Sequence, residues 1–222
     1  MTLHQLILGF VTAFLALFPV INPIGSGLII NNMIGHMPKE QHYRAICRIT
    51  FNSLCIGLSS LLAGYFILQL FGLTVPVVQL GGGLMICRTA WGWLSDGGGE
   101  QDAQPEIEKS DYEKIRHRLF YPMSFPITVG AGTMAVIFTL MASGTVKDNL
   151  VLTLVNYGVI ALAIIVMCII LYLALLPGHR IVKRLSPAGK LIINKIIAFL
   201  TLCIGLQIMA RGVGHIFHLT IL

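Results

Sequence analysis

Acid is almost missing from the apolar parts of this chain. Charged residues make up 11% of the 222, hydrophobic residues 56%, and mean hydropathy is +0.84; a soluble domain carries about a quarter charged. The nine acidic residues (Glu40, Asp96, Glu100, Asp102, Glu106, Glu108, Asp111, Glu113, Asp148) all fall in expected loops or at the edges of apolar segments. That leaves no intramembrane carboxylate for a proton relay, a divalent-cation path or neutralisation of a polycation. Any coupled ion, sodium or proton being left open, would need backbone carbonyls with Ser, Thr or Asn oxygens.

Catalytic and redox motifs are absent too. There is no His-Glu-x-x-His, no P-loop and no dinucleotide fingerprint. Gly25-Ser26-Gly27 has no histidine well inside a span to serve the serine as base, so an enzyme is not expected. The five cysteines (Cys47, Cys55, Cys87, Cys168, Cys203) stand singly, without a Cys-x-x-Cys, and read as small buried hydrophobes. His215 and His218 lack a third ligand. Neither cofactor nor metal is implied. The N-terminus has no basic region of the signal-peptide kind and is expected to persist as the first span.

What the chain does have is length without charge. Stretches 1–38, 49–87, 119–146 and 149–179 contain no Asp, Glu, Lys or Arg, and about 20 apolar residues cross a bilayer. Six spans are expected, near 6–34, 45–70, 75–94, 119–142, 150–176 and 192–213. The net charge of +6 reflects topology rather than a nucleic-acid partner. Twelve of the 15 Lys and Arg lie in or beside the first, third and fifth loops. The positive-inside rule places those loops in the cytoplasm and both termini outside.

Two spans are interrupted. Phe18-Pro-Val-Ile-Asn-Pro-Ile-Gly-Ser-Gly27 and Tyr121-Pro-Met-Ser-Phe-Pro-Ile-Thr-Val-Gly-Ala-Gly-Thr133 each hold prolines four apart followed by glycines. A helix interior loses about 3 kcal/mol to Pro and about 1 to Gly relative to Ala, and hydrocarbon tolerates broken backbone only against protein or a wet cavity. Matched interruptions in two halves point to a transporter's binding site. If Pro19–Gly27 and Pro122–Gly132 unwind, each exposes a half-helix N-terminus suited to a carboxylate. Asn22, Ser26, Thr128 and Thr133 would add side-chain hydrogen bonds, and Pro23, Gly25, Gly27, Pro126, Gly130 and Gly132 would shape the backbone. A proline kink healed by neighbouring helices is the plainer alternative.

The hydrophilic stretch 96–118 divides the chain into 1–95 and 119–222; it reads as a solvated linker or as a docking element. The flanking halves look like diverged copies. Asn52 follows Pro23 by 29 residues and Asn156 follows Pro126 by 30, while Gly82 to Arg88 matches Gly205 to Arg211. Copies of three spans enter the membrane from opposite sides. The expected fold is therefore an all-α membrane protein of six transmembrane helices in two inverted three-helix repeats, first and fourth helices broken. Asn52 and Asn156 are either interhelical glue or cavity lining. Arg88 and Arg211 either snorkel from helix ends or act as gates or anion contacts.

Asn22-Pro23-Ile24-Gly25, the run from Pro126 through Gly130-Ala131-Gly132-Thr133, and Gly205-Leu206-Gln207 together resemble the MarC family over nearly the whole chain. One departure is Ala131, where the family pattern has proline. The resemblance implies six spans in the bacterial inner membrane, kinship with lysine exporters and transport of small neutral amino acids of the glycine and alanine class. The expected partners are membrane lipid and a small zwitterionic solute, with a homo-oligomer left open. A passive channel for small neutral solutes and a non-transporting scaffold are the alternatives.

Overall fold

The computed structural model describes residues 3–34, 37–95, 118–146, 149–176 and 187–217. The dividing stretch 96–118, Arg118 excepted, lies outside them, as do Asp148, Lys147, His218 and the basic residues 180–184. Among the described residues there are seven α-helices, one irregular coil and no strand. In chain order they are α1 (Leu3–Ile21), α2 (Pro23–Ile34), α3 (Lys39–Leu70), α4 (Val75–Ser95), the irregular α5 (Leu119–Thr128), α6 (Ala131–Gly144), α7 (Leu150–Leu175) and α8 (Pro187–Ile216).

Each boundary has a local cause. Asn22 takes φ +45° between α1 and α2, the left-handed region that Asn tolerates better than other side chains. Pro23 then opens α2 at the first helical position, where its missing N–H costs nothing. Gly72, at φ +62°, turns the chain between α3 and α4. The side chain of Asn149 accepts from Leu152 N at 2.9 Å and caps α7.

Length and composition allow four described segments to cross a membrane: Leu3–Asn31, Lys39–Leu70, Leu150–Leu175 and Lys195–Ile216. A fifth is the pair α5 and α6, bent by 57° at their junction. Over the expected third span the chain forms a helix, α4, but with Gln79, Arg88 and three consecutive glycines it falls short of the apolar content of the segments long and apolar enough to cross. Large apolar side chains on the long helices face outward, among them Leu15, Phe51, Leu62, Phe66, Val151, Leu173 and Phe199. Lipid is the medium that such a surface suits.

Inside, α3 and α7 connect two apolar clusters. One gathers Leu17 of α1, Leu61 of α3, Ile137 of α6 and Met167 of α7. The other gathers Ile30 of α2, Ile46 of α3, Met123 of α5 and Leu171 of α7. Part of the helix pairing is reciprocal, although α4 also packs on α6 with no comparable pairing of α8 with α2. As α1 packs on α7, so α5 packs on α3; as α6 packs on α3, so α2 packs on α7; α1 meets α6, and α2 meets α5. The most extensive pairing is α4 along α8.

Glycine makes that last pairing possible. A Cβ on Gly83 would lie 2.7 Å from Gly205 O, and one on Gly212 would lie 2.8 Å from Pro76 O. On its other side, α4 presses Gly82 against α6, where a Cβ would collide with Ala135 Cβ. The α4 surface is thus shaped for backbone approach. Gly82→Ala is expected to force α4 and α6 apart and to lower the thermal midpoint by several degrees, since overpacking costs about 1–3 kcal/mol. Gly81, with nothing within 4 Å of its would-be Cβ, should tolerate alanine at no loss when unfolding is followed in detergent.

Candidate functional site

The two interruptions differ in kind. At the first, only Asn22 leaves helical geometry, and Leu3–Asn31 still passes as one span. The expected unwinding of Pro19–Gly27 is therefore much smaller than the composition suggests: Pro19 stays inside α1 and Pro23 starts α2. Asn22 N donates to Phe18 O at 2.9 Å, and Ser26 N donates to Asn22 O at 2.8 Å, so the helical ladder resumes at once. Asn22 Oδ1 accepts from Gly25 N at 2.9 Å. Gly25 admits this cap because it lacks a Cβ, which would collide with the Asn22 side-chain amide.

This corrects the expectation of two equally open helix N-termini. The N-terminus of α2 is capped by its own Asn22, and Pro23 has no N–H to offer. The N-terminus of α6 is different. Gly130 occupies the capping position with extended backbone (φ −102°, ψ −175°) and supplies no side chain. The amides of Ala131, Gly132 and Thr133 are the first-turn donors, of the kind that bind anionic oxygen. Thr133 is 2% exposed, and its hydroxyl has no hydrogen bond among the described residues.

The second interruption is wider. Tyr121 and Phe125 have extended φ/ψ within α5, and both following X–Pro bonds are cis. The coil pairs five residues back: Ser124 Oγ donates to Leu119 O at 2.7 Å, Thr128 Oγ1 to Met123 O at 2.8 Å and Val129 N to Ser124 O at 3.0 Å. Thr128 therefore stabilises the coil itself. Pro126 is exposed, and a Cβ on Gly130 would lie 2.9 Å from its carbonyl oxygen.

Side chains from distant parts of the sequence bring the interruptions together. Ser26 Oγ of α2 donates to Ile21 O at 2.9 Å and lies 3.2 Å from Ile127 O in α5. Gly132 lies against α4 and α1, its would-be Cβ 2.6 Å from Ile86 Cγ1 and 3.6 Å from Val20 Cγ1. Pro23 cannot donate to Pro19 O; Thr201 Oγ1 of α8 stands 3.2 Å from that oxygen and 2.7 Å from Ile197 O of its own helix, with one hydrogen to share between them. Gly27 faces Ala174 of α7, where a Cβ would lie 3.4 Å from Ala174 Cβ. One helical turn further, Asn31 Nδ2 donates to Ala174 O at 3.4 Å, and Asn31 Oδ1 faces His42 Nε2 at the same distance.

Other expected members stand elsewhere. Asn156 Nδ2 donates to Gly144 O at 2.8 Å, at the far end of α6, about 20 Å from the interruption at 1.5 Å per residue. Asn52 is half-buried on α3. Its neighbours Thr50 and Ser53 carry buried hydroxyl oxygens without a partner among the described residues. Arg88 and Arg211 are both exposed on the outer surface, so neither lies inside a closed gate in this conformation. Sequence reasoning passed over Thr201, Asn31 and the carbonyl of Ile127. Thr201 and Asn31 could have been noticed as polar residues in apolar runs; the carbonyl has no sequence signal.

These features define a multi-pass α-helical membrane protein whose interrupted spans meet in its interior. The family described as "MarC family integral membrane protein" matches residues 7–217, and the chain belongs to the MarC family. It is 24% identical over 209 residues to a UPF0056 membrane protein of Methanocaldococcus jannaschii, covering 94% of this chain and 88% of that one. To the UPF0056 inner membrane protein MarC of Escherichia coli it is 23% identical over 206 residues, covering 90% and 91%. The MarC protein of Citrobacter koseri is 24% identical over 207 residues, with the same coverage. No solved structure matches the chain.

The cap predicts an order of stabilities. Asn22→Ala removes both the cap and the tolerance of positive φ, for about 1–2 kcal/mol. Asn22→Gly removes the cap alone and should lose a smaller part of that. Thermal unfolding of the two variants beside wild type measures the order.

Proposed function

We propose that the chain is a secondary transporter of small neutral amino acids, of the glycine and alanine class, working by alternating access in the inner membrane. The observation carrying this is the convergence of an uncapped helix N-terminus, at Gly130–Thr133, with the Ser26–Ile127 junction. A zwitterion needs donors for its carboxylate and acceptors for its ammonium. Amides of α6 with the Thr133 hydroxyl suit the first, and carbonyls of α1 and α5 suit the second. Neither end calls for a buried acid, and α1, α2, α5 and α6 contain none.

The reciprocal packing of α1, α2 and α3 with α5, α6 and α7 supports two inverted three-helix halves, with α4 and α8 as the paired third members. Exchange of conformation between such halves opens the site to each side in turn. The basic loops then lie in the cytoplasm and both termini outside.

The test is uptake of radiolabelled glycine and alanine into proteoliposomes. Expected are saturation, mutual competition and counterflow. Thr133→Val, which keeps the side-chain shape, should raise the half-saturating concentration at least tenfold with Tm little changed. Flux without saturation or counterflow would identify a channel, and absence of flux would leave a scaffold.

A further inference from the structure

We propose that the point where the two interruptions touch is a cation site formed by Ile21 O, Ile127 O and Ser26 Oγ. It takes a monovalent positive group, either an alkali-metal ion of sodium's size or the ammonium of a bound amino acid.

Both carbonyls have lost their backbone donors. The amide that would close a helical turn onto Ile21 O is Gly25 N, which bonds to Asn22 Oδ1. The amide four residues beyond Ile127 is that of Ala131, which begins α6 after a 57° bend; no backbone N–H reaches Ile127 O among the described residues. What remains for both is one hydroxyl, with Ser26 Oγ 2.9 Å from Ile21 O and 3.2 Å from Ile127 O. A serine hydroxyl has a single hydrogen, so one of the two acceptors goes short. Ser26 is 2% exposed and Ile21 4%; Ile127 is half-buried and its oxygen is the farther from the hydroxyl, so it is the acceptor left short, at a cost in free energy.

A cation satisfies all three oxygens together. Oxygens surround a hard cation of this size at about 2.4 Å, and neighbours in such a shell lie about 3 Å apart, as Ser26 Oγ does from each of the two carbonyl oxygens. The field has the right sign as well. Ile21 is the last residue of α1, and a helix C-terminus carries partial negative charge; Ile127, at the end of the irregular α5, contributes the dipole of its own carbonyl. The donor set is neutral, since α1, α2 and α5 hold no Asp or Glu, which favours one positive charge over two. The amine source rests on the transporter assignment; a metal-ion site does not depend on it.

Thermal unfolding of the full-length protein in detergent tests the site. Choline chloride is replaced at constant ionic strength by sodium chloride or by methylammonium chloride, without amino acid. A saturable rise in Tm of roughly 5 °C is expected with at least one of them at concentrations far above Kd. A response to sodium alone assigns a metal ion; a response to methylammonium alone assigns the amine; a response to both is the shared chemistry. Ser26→Ala should abolish the shift, and Ser26→Cys, close in size but with a soft sulfur, should weaken the apparent affinity at least tenfold; the cysteine variant also decides the matter should the alanine variant fail to fold. No saturable shift in wild type, or an undiminished shift in the variants, overturns the site. A Ser26-dependent shift without amino-acid uptake would refute the transporter and keep the cation site; uptake without any shift would do the reverse.

Discussion

A backbone amide or carbonyl in hydrocarbon must find a partner within the protein, and the meeting of the two interruptions follows from where the helical partner is lost. Pro23 leaves Pro19 O without its helical donor, and Thr201 approaches from α8. Gly25 N turns to the Asn22 side chain, which frees Ile21 O for Ser26. The bend after α5 leaves Ile127 O facing the same hydroxyl. A chain of substitutions for lost hydrogen bonds thereby draws two interruptions, about a hundred residues apart in sequence, onto one serine.

The two interruptions handle this constraint differently. The first is closed by its own residues: Asn22 is cap, turn and hydrogen-bond acceptor at once. The second is wound wide, with hydroxyls of Ser124 and Thr128 covering carbonyls five residues back, and it delivers α6 with an uncapped start. Wide turns of this sort recur at functional sites. Donors collect at α6 and acceptors at the ends of α1 and α5, an arrangement polar enough to hold a zwitterion and neutral overall. The glycine-lined α4 and α8 form the firm side of the molecule, on which Gly132 and Ala135 of α6 rest.

Much of this was legible in the sequence, because proline and glycine act locally. Pro19, Pro23, Pro122 and Pro126 located both interruptions, and the charge-free stretches located most of the helices, the last one, α8, excepted. The Asn-Pro-x-Gly order also contained the cap, since Asn favours the N-cap and Pro the position after it; composition alone made that segment look more unwound than it is. Long-range partners were not legible. Nothing near Asn156 says that Gly144 O will claim its amide, and nothing near Ser26 names Ile127. The exposure of Arg88 and Arg211 depends on which faces α4 and α8 turn to each other, which glycine spacing decides only once the partner is known. The apolar content of α4 was overestimated because its glycines serve helix contact rather than lipid.

The central claim is that these interruptions hold a small solute by both its charged ends. Calorimetric titration of the purified protein with glycine, methylamine and acetate tests it most directly. Saturable binding is expected for glycine, with each one-ended analogue at least tenfold weaker. Equal affinity for glycine and either analogue, or no binding of glycine at all, would contradict it.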